Sequence, residues 1–208
     1  MSFNRILASV GEYYTQKVRT HGPTPKGVDW NSPESQALRF EQILKVCDVD
    51  ASFSINDYGC GYGALLDYMV EREYTFQYRG FDVSDQMITE AEKLHKGSSN
   101  CDFFRDESYL TVADYTVASG VFNAKLLATD DDWQRYLLRT LEKIAQLSSR
   151  GFAFNVLTKY SDRDRMRPDL YYADPVFLFD YCKKGFSRFV SLLHDYPLYE
   201  FTIIVRNL

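Results

Sequence analysis

Hydrophobic and polar positions along this chain switch period at regular intervals. Ser32-Pro33 reads as an N-cap followed by proline at the first helical position. After it Ala37, Phe40, Ile43, Leu44 and Cys47 recur at helical spacing, so one face of that helix is buried. Short apolar runs of strand length then alternate with helical stripes. Phe53–Tyr58, Phe76–Asp82, Asp102–Arg105, Tyr115–Val121 and Phe152–Leu157 read as strands. Tyr62–Glu73 reads as a helix, and Ser84-Asp85 caps another that carries Met87, Ala91 and Leu94 on one face. Asp130, Asp131 and Asp132 complement the dipole of a third, whose inner stripe is Trp133, Leu137, Leu141 and Ile144 and which ends at Arg150-Gly151. Asp174-Pro175 starts a further helix that Gly185 stops. Phe189–His194 and Tyr199–Val205 flank a turn containing Pro197 and read as an antiparallel hairpin. Residues 11–31 are rich in Tyr, Gly and Pro, and their poor periodicity predicts irregular structure.

This alternation predicts an α/β fold with a mainly parallel sheet covered on both faces. The 208 residues fit one domain. Residues 1–48 are expected to form an N-terminal helical cap ahead of a core spanning 52–206. The polar first strand, Ser52 to Asn56, is unusual for a strand covered on both sides.

The densest chemical signal follows the first strand, in Asp57-Tyr58-Gly59-Cys60-Gly61-Tyr62-Gly63. Glycines at alternate positions allow a tight turn and bring bare backbone N–H groups to a ligand at a helix N-terminus. The spacing is neither the Gly-x-Gly-x-x-Gly of dinucleotide sites nor a P-loop ending in Gly-Lys-Ser/Thr. A purely structural turn is the alternative reading. In an open α/β sheet the rest of such a site lies at the carboxyl ends of neighbouring strands. At the second strand's end, Asp82 can accept hydrogen bonds from both hydroxyls of a ribose.

The order Asp57/Gly59/Gly61/Gly63, Asp82, Asp106 and a terminal hairpin resembles the class I S-adenosylmethionine-dependent methyltransferases. That resemblance covers roughly residues 52–206 and implies a seven-stranded, mostly parallel, doubly wound Rossmann-like sheet that closes with an antiparallel hairpin. It implies S-adenosylmethionine bound on the Gly59-Cys60-Gly61-Gly63 loop, with S-adenosylhomocysteine as product. Asp82 would hold the ribose beside Val83. Met87 would pack on adenine, with core packing an equal account of it. Asp106 and Glu107 would meet the adenine amino group, and Ser119 and Gly120 would lie along the methionyl portion. Arg39 is a candidate for the methionyl carboxylate, or else an ordinary surface arginine. An Asn/Asp-Pro-Pro-Tyr/Phe signature is missing after the fourth strand, which disfavours methylation of nucleic-acid bases.

Acceptor-side residues are harder to read. The aromatic N-terminal segment is expected to fold over the cleft as part of a lid, bringing Tyr14 and Trp30. The polar link 158–172 is expected to supply the opposite wall, including Tyr172, with Asn123 nearby. Of three histidines, His21 and His194 are the candidates for a general base, each with a structural role as the alternative. His95, between Lys93 and Lys96, reads as solvated.

Composition narrows the field further. A net charge of −5 with no long basic run argues against a nucleic-acid partner. No apolar run reaches the length of a membrane span, and the N-terminus lacks a signal-peptide pattern. Cys47, Cys60, Cys101 and Cys182 show neither CxxC pairing nor metal-ligand spacing, so a reducing, cytoplasmic setting and no metal are expected. Aromatic content of 16% fits a bulky core or an aromatic pocket. The expected activity is methyl transfer to an oxygen or nitrogen of a small molecule. A catalytically silent module that binds the same cofactor is the alternative, and a nicotinamide oxidoreductase has the wrong glycine spacing. Nothing in the sequence signals an oligomeric state.

Overall fold

A computed structural model describes residues 1–207. Seven strands form one sheet: β1 (Phe53–Tyr58), β2 (Phe76–Phe81), β3 (Cys101–Phe104), β4 (Ala113–Ala118), β5 (Ser148–Leu157), β6 (Phe189–Leu193) and β7 (Glu200–Arg206). Their order is β3-β2-β1-β4-β5-β7-β6. The first five run parallel, and β7 pairs antiparallel with both β5 and β6. The chain winds outward from β1 to β3, then returns to β4 on the other side of β1. This reversal leaves a crevice at the carboxyl ends of β1 and β4.

Six helices cover the sheet: α1 (Phe3–His21), α2 (Pro33–Leu44), α3 (Ala64–Glu71), α4 (Asp85–Leu94), α5 (Asp130–Gln146) and α6 (Pro175–Gly185). Two apolar clusters occupy the two faces. One gathers Trp133, Leu137 and Leu141 of α5 with Phe152 and Phe154 of β5 and Leu178 of α6. The other gathers Phe40 and Ile43 of α2 with Ile55, Leu66, Tyr78 and Val117. Strand side chains alternate between these faces, so Phe152, Phe154 and Val156 of β5 join one cluster and Ala153 the other, as in a doubly covered strand.

Several expectations meet a different outcome. The segment expected to be irregular is mostly α1, a 19-residue helix held by Ile6, Val10, Gly11 and Val18 on its buried side. Its stripe is interrupted by Tyr and Gly, which hid the helical period. Gly11 lets α1 rest against the chain at Val83, where an added Cβ would lie 3.1 Å from the carbonyl oxygen. The Thr15 and Ser84 hydroxyls hydrogen-bond at 2.7 Å across the same crossing. Within residues 1–48, α2 is part of the sheet's own cover, so the cap consists of α1 and the 3-10 turn Pro25–Val28. Strand β5 begins at Ser148, ahead of the expected helix stop at Arg150-Gly151, because Ser148 already pairs with Ala113.

The polar residues of β1 are accommodated by hydrogen bonds. Asn56 is fully buried and its Nδ2 donates to the Thr111 carbonyl at 2.9 Å. The Ser54 amide and hydroxyl both donate to Asp114, at 2.7 and 2.8 Å. Ser54 is thereby satisfied, whereas the buried Asn56 keeps its Oδ1 without a hydrogen-bond partner among the described residues.

The indole of Trp133 joins α5 to the loop after β4. It is fully buried and donates from Nε1 to the Phe122 carbonyl at 2.8 Å. Trp133→Ala is therefore expected to lower the unfolding free energy by about 3–5 kcal/mol in urea denaturation, the usual cost of emptying a large aromatic site.

Candidate active site

The glycine loop leaves β1 with Gly59, Gly61 and Gly63 all at positive φ, 84°, 55° and 89°. The amides of Gly59 and Cys60 both donate to the Phe81 carbonyl, which fastens the loop to the end of β2. Gly61 donates to the Asp82 carboxylate at 2.9 Å, and Ser84 donates to that carboxylate's other oxygen at 2.8 Å. Each oxygen thus keeps an acceptor site. Above this corner lies a cleft of about 770 Å³, open solvent at its mouth included.

The glycines have distinct neighbours. A Cβ on Gly59 would strike Val121, and one on Gly63 would strike His95. At Gly61 it would enter the cleft itself, 3.0 Å from Val28 of the cap and 4.0 Å from the Met87 sulfur. Gly61 is the position where bare backbone faces the cavity. Gly120, at φ 75°, is covered differently: the Trp30 indole lies directly on its backbone.

The structure brings Asp57, Gly59, Cys60 and Gly61 to the cleft with Asp82, Val83 and Met87. Ser119 and Gly120 form the opposite side, and Tyr14 and Trp30 descend from the cap. Gly63 is the N-cap of α3, just behind the loop. Sequence reasoning missed Val28, Phe40 and Tyr136, which also line the cleft. Tyr136 follows Trp133 by three positions, so the α5 stripe was the signal for it.

Two buried acids dominate the cleft's electrostatics. Burial pushes the Asp57 carboxyl up to about 7, against a hydrogen bond from the Tyr78 hydroxyl at 2.8 Å and with the charge of Asp82 adding to the rise. Burial likewise raises Asp82 to about 6, opposed by its bonds from Ser84 and Gly61. A cationic ligand would favour the ionised form of both.

Behind Tyr14, Val28 and Trp30, which border both spaces, lies a second and more polar cavity of about 810 Å³, again counting open solvent. Asn123 and Tyr172 line it, as expected. Arg39 does too, but it is not free to hold a cofactor carboxylate. Its Nε and Nη2 grip Glu200 at 2.9 and 2.7 Å, and Nη1 donates to the Ser35 carbonyl. Arg39 is 7% exposed and Glu200 fully buried, and the guanidinium stacks 3.8 Å from the Trp30 ring centroid. The partner acid lies 161 residues away, beyond any local sequence pattern.

Other expected site residues lie elsewhere. His21 sits exposed at the end of α1, and His194 is exposed beyond β6, its ring against Tyr160 and Phe201. Neither lines the two cavities, so neither is placed as a base. Asp106 is exposed and accepts the Ser108 amide at 2.8 Å, acting as a turn cap. Glu107 accepts the Tyr58 hydroxyl at 2.5 Å and lies 3.5 Å from Lys143. Both stand outside the cleft lining. His95 is not solvated: its side chain is 8% exposed, its ring stacks on Phe103, and its Nε2 lacks a partner. No cluster of potential metal ligands occurs among the described residues.

Two predictions follow from these charges. Asp57 keeps its proton in the folded chain over a range where the unfolded chain has lost it. Stability of the ligand-free protein is therefore expected to fall as pH rises from about 4 to about 7, by on the order of 4 kcal/mol from Asp57 alone. Urea titrations across that range should show the fall, and Asp57→Asn should reduce it to the smaller part that Asp82, raised to about 6, contributes. Glu200→Gln strands the Arg39 charge and is expected to cost about 3–5 kcal/mol of unfolding free energy, whereas the double change Arg39→Met with Glu200→Leu should cost much less.

No protein-family model matches the chain. Rv1506c, a protein of Mycobacterium tuberculosis named as a methyltransferase, is 50% identical over 164 residues, covering 79% of this chain and 99% of that one. The fold resembles magnesium protoporphyrin IX methyltransferase of Synechocystis PCC 6803, solved with S-adenosylhomocysteine, at a TM-score of 0.66 and 14% identity, over 97% of this chain and 99% of that one. DhpI, solved in a DhpI-SAM-HEP complex, superposes at a TM-score of 0.64 and 15% identity, over 96% of this chain and 97% of that one. With a relative this similar, and with the sheet order and glycine loop described above, the chain belongs to the class I S-adenosylmethionine-dependent methyltransferases.

Proposed function

We propose that this methyltransferase carries a methyl group from S-adenosylmethionine to an oxygen or nitrogen of a small-molecule acceptor, releasing S-adenosylhomocysteine. The observation that carries the site assignment is the Asp82 carboxylate. It is 8% exposed, opens on the cleft, and keeps one acceptor site on each oxygen after bonding Gly61 and Ser84. Two ribose hydroxyls fit that demand. Gly61 supplies backbone that a ligand can approach, and Met87 with Phe81 supplies an apolar wall for a flat base. The residues therefore fit the adenosyl group.

When bound, S-adenosylmethionine supplies an electrophilic methyl on a sulfonium. The chain's own part is to bind, align and dry the reacting groups. Asp57 and Asp82 set a negative potential in the cleft that favours a cation. Val28, Trp30 and Tyr14 line the cleft from the α1–α2 segment, where they would help exclude water from the reacting groups. Tyr14 borders both cavities, and burial holds its hydroxyl well above the usual phenol range, so it acts as a neutral hydrogen-bonding group. Among lining residues there is no histidine, and the acids of the second cavity are committed, Asp29 to Lys17 and Glu200 to Arg39. This supports a reaction driven by alignment more than by a dedicated base.

The second cavity is enclosed between the cap and the 158–172 link, a space suited to a small acceptor. The net charge of −5 disfavours a nucleic-acid partner, and no helix among the described residues is long and apolar enough to cross a membrane.

Calorimetry with S-adenosylmethionine and S-adenosylhomocysteine tests the site. Asp82→Ala is expected to weaken both by about 1–3 kcal/mol, the scale of lost charge-assisted hydrogen bonds. Gly61→Val should abolish binding by filling the cleft. Unchanged affinity in a folded Asp82→Ala protein would overturn the ribose assignment. Binding without release of S-adenosylhomocysteine over a broad panel of hydroxyl and amine acceptors would favour the silent module.

A further inference from the structure

The second cavity is unbalanced in its hydrogen-bonding groups, and the imbalance points to the kind of acceptor it takes. Its carboxylates are spoken for. Glu200 holds the Arg39 fork. Asp29 receives Lys17 at 2.6 Å and the Tyr13 hydroxyl at 2.6 Å. The Tyr199 hydroxyl donates to Asp162 outside the cavity's floor. The donors that line it are different. Arg167 is fixed by Asp169 through Nε and Nη2, at 3.1 and 2.5 Å, and its guanidinium also lies near the Tyr13 hydroxyl and the Asp29 carboxylate. Arg165 has only a 3.9 Å approach to the exposed Asp164, so its guanidinium is uncommitted. The Tyr172 hydroxyl accepts the Arg167 amide at 2.9 Å, which leaves its own proton to donate.

Resting on the methyltransferase reading, we propose that the acceptor carries an oxyanion, a carboxylate or phosphate, held by Arg165, Arg167 and Tyr172. The Asp169 clamp fixes the orientation of one guanidinium, so little side-chain freedom is lost on binding. Planar forks with unused N–H groups match carboxylate and phosphate oxygens. Arg165, Arg167 and Tyr172 line the same cavity as Tyr14 and Trp30, which border the cofactor cleft. An acceptor spanning the cavity would present its far end, the methylated atom, toward that border.

Calorimetry at constant ionic strength, with the protein both free and saturated with S-adenosylhomocysteine, provides the test. Inorganic phosphate and acetate are the probes, and acetamide is the neutral control. Saturable one-site binding of at least one anion, with none of acetamide, is expected. Arg165→Gln and Arg167→Gln should each weaken it by about tenfold, the scale of a lost charged hydrogen bond. Arg165 is 71% exposed, so its substitution leaves the fold intact even if Arg167→Gln, which frees Asp169, does not. Absence of saturable anion binding overturns the proposal, as does affinity unchanged in Arg165→Gln. Binding of S-adenosylhomocysteine is read separately in the same samples, so its loss would count against the cofactor site and leave the anion result to stand alone.

Discussion

The Asp82 carboxylate, shared between the amides of Gly61 and Ser84, is the constraint on which the site's geometry depends. It joins the loop after β1 to the loop after β2 across two adjacent parallel strands. The Phe81 carbonyl holds the first half of the loop through Gly59 and Cys60, and the carboxylate holds Gly61, the next of three glycines at positive φ. The carboxylate is buried to do this, and burial raises its proton affinity. Here the same group that orders the protein is the group best suited to meet a ligand. Asp57, one layer deeper and held by Tyr78, adds a second acid that only a cation would fully relieve.

The cap belongs to this arrangement physically. Helix α1 is seated at Gly11 and Thr15 on the start of α4, directly beside Asp82. The turn after α1 then lowers Val28 and Trp30 onto Gly61 and Gly120. Trp30 is itself backed by the Arg39 guanidinium, which is locked to Glu200 at the start of β7. A continuous set of contacts therefore runs from the hairpin strand through the ion pair and the indole to the cofactor cleft. The second cavity lies alongside that set, sharing Tyr14, Val28 and Trp30 with the cleft.

Much of this was legible in the sequence, for reasons particular to each element. The strands and helices of the core were visible because short apolar runs of strand length alternate with apolar stripes of helical period, and because local caps such as Ser32, Ser84 and Asp174 mark helix starts. The glycine loop and Asp82 were legible because few residue types serve those backbone and carboxylate positions. Helix α1 was obscured by Tyr13, Tyr14 and Gly11, whose purpose is tertiary packing against the cleft and α4. Arg39 was misassigned because its partner acid is remote in sequence. His21 and His194 drew attention by residue type alone, and the fold carries both away from the cavities. His95 looked solvated between two lysines, yet the turn after α4 folds its ring onto Phe103 beneath Gly63.

The placement of Trp30 also gives the protein a built-in optical reporter. The chain has two indoles, and they live in opposite surroundings. Trp133 is sealed in the core with its N–H bonded to a carbonyl, and so contributes a constant background emission. Trp30 lies between a bare peptide and a guanidinium at the boundary of both cavities. Any movement of the α1–α2 segment changes that indole's polarity and its distance from the cation. A ligand that touched the indole in either cavity would change its ultraviolet emission, a signal that needs no label.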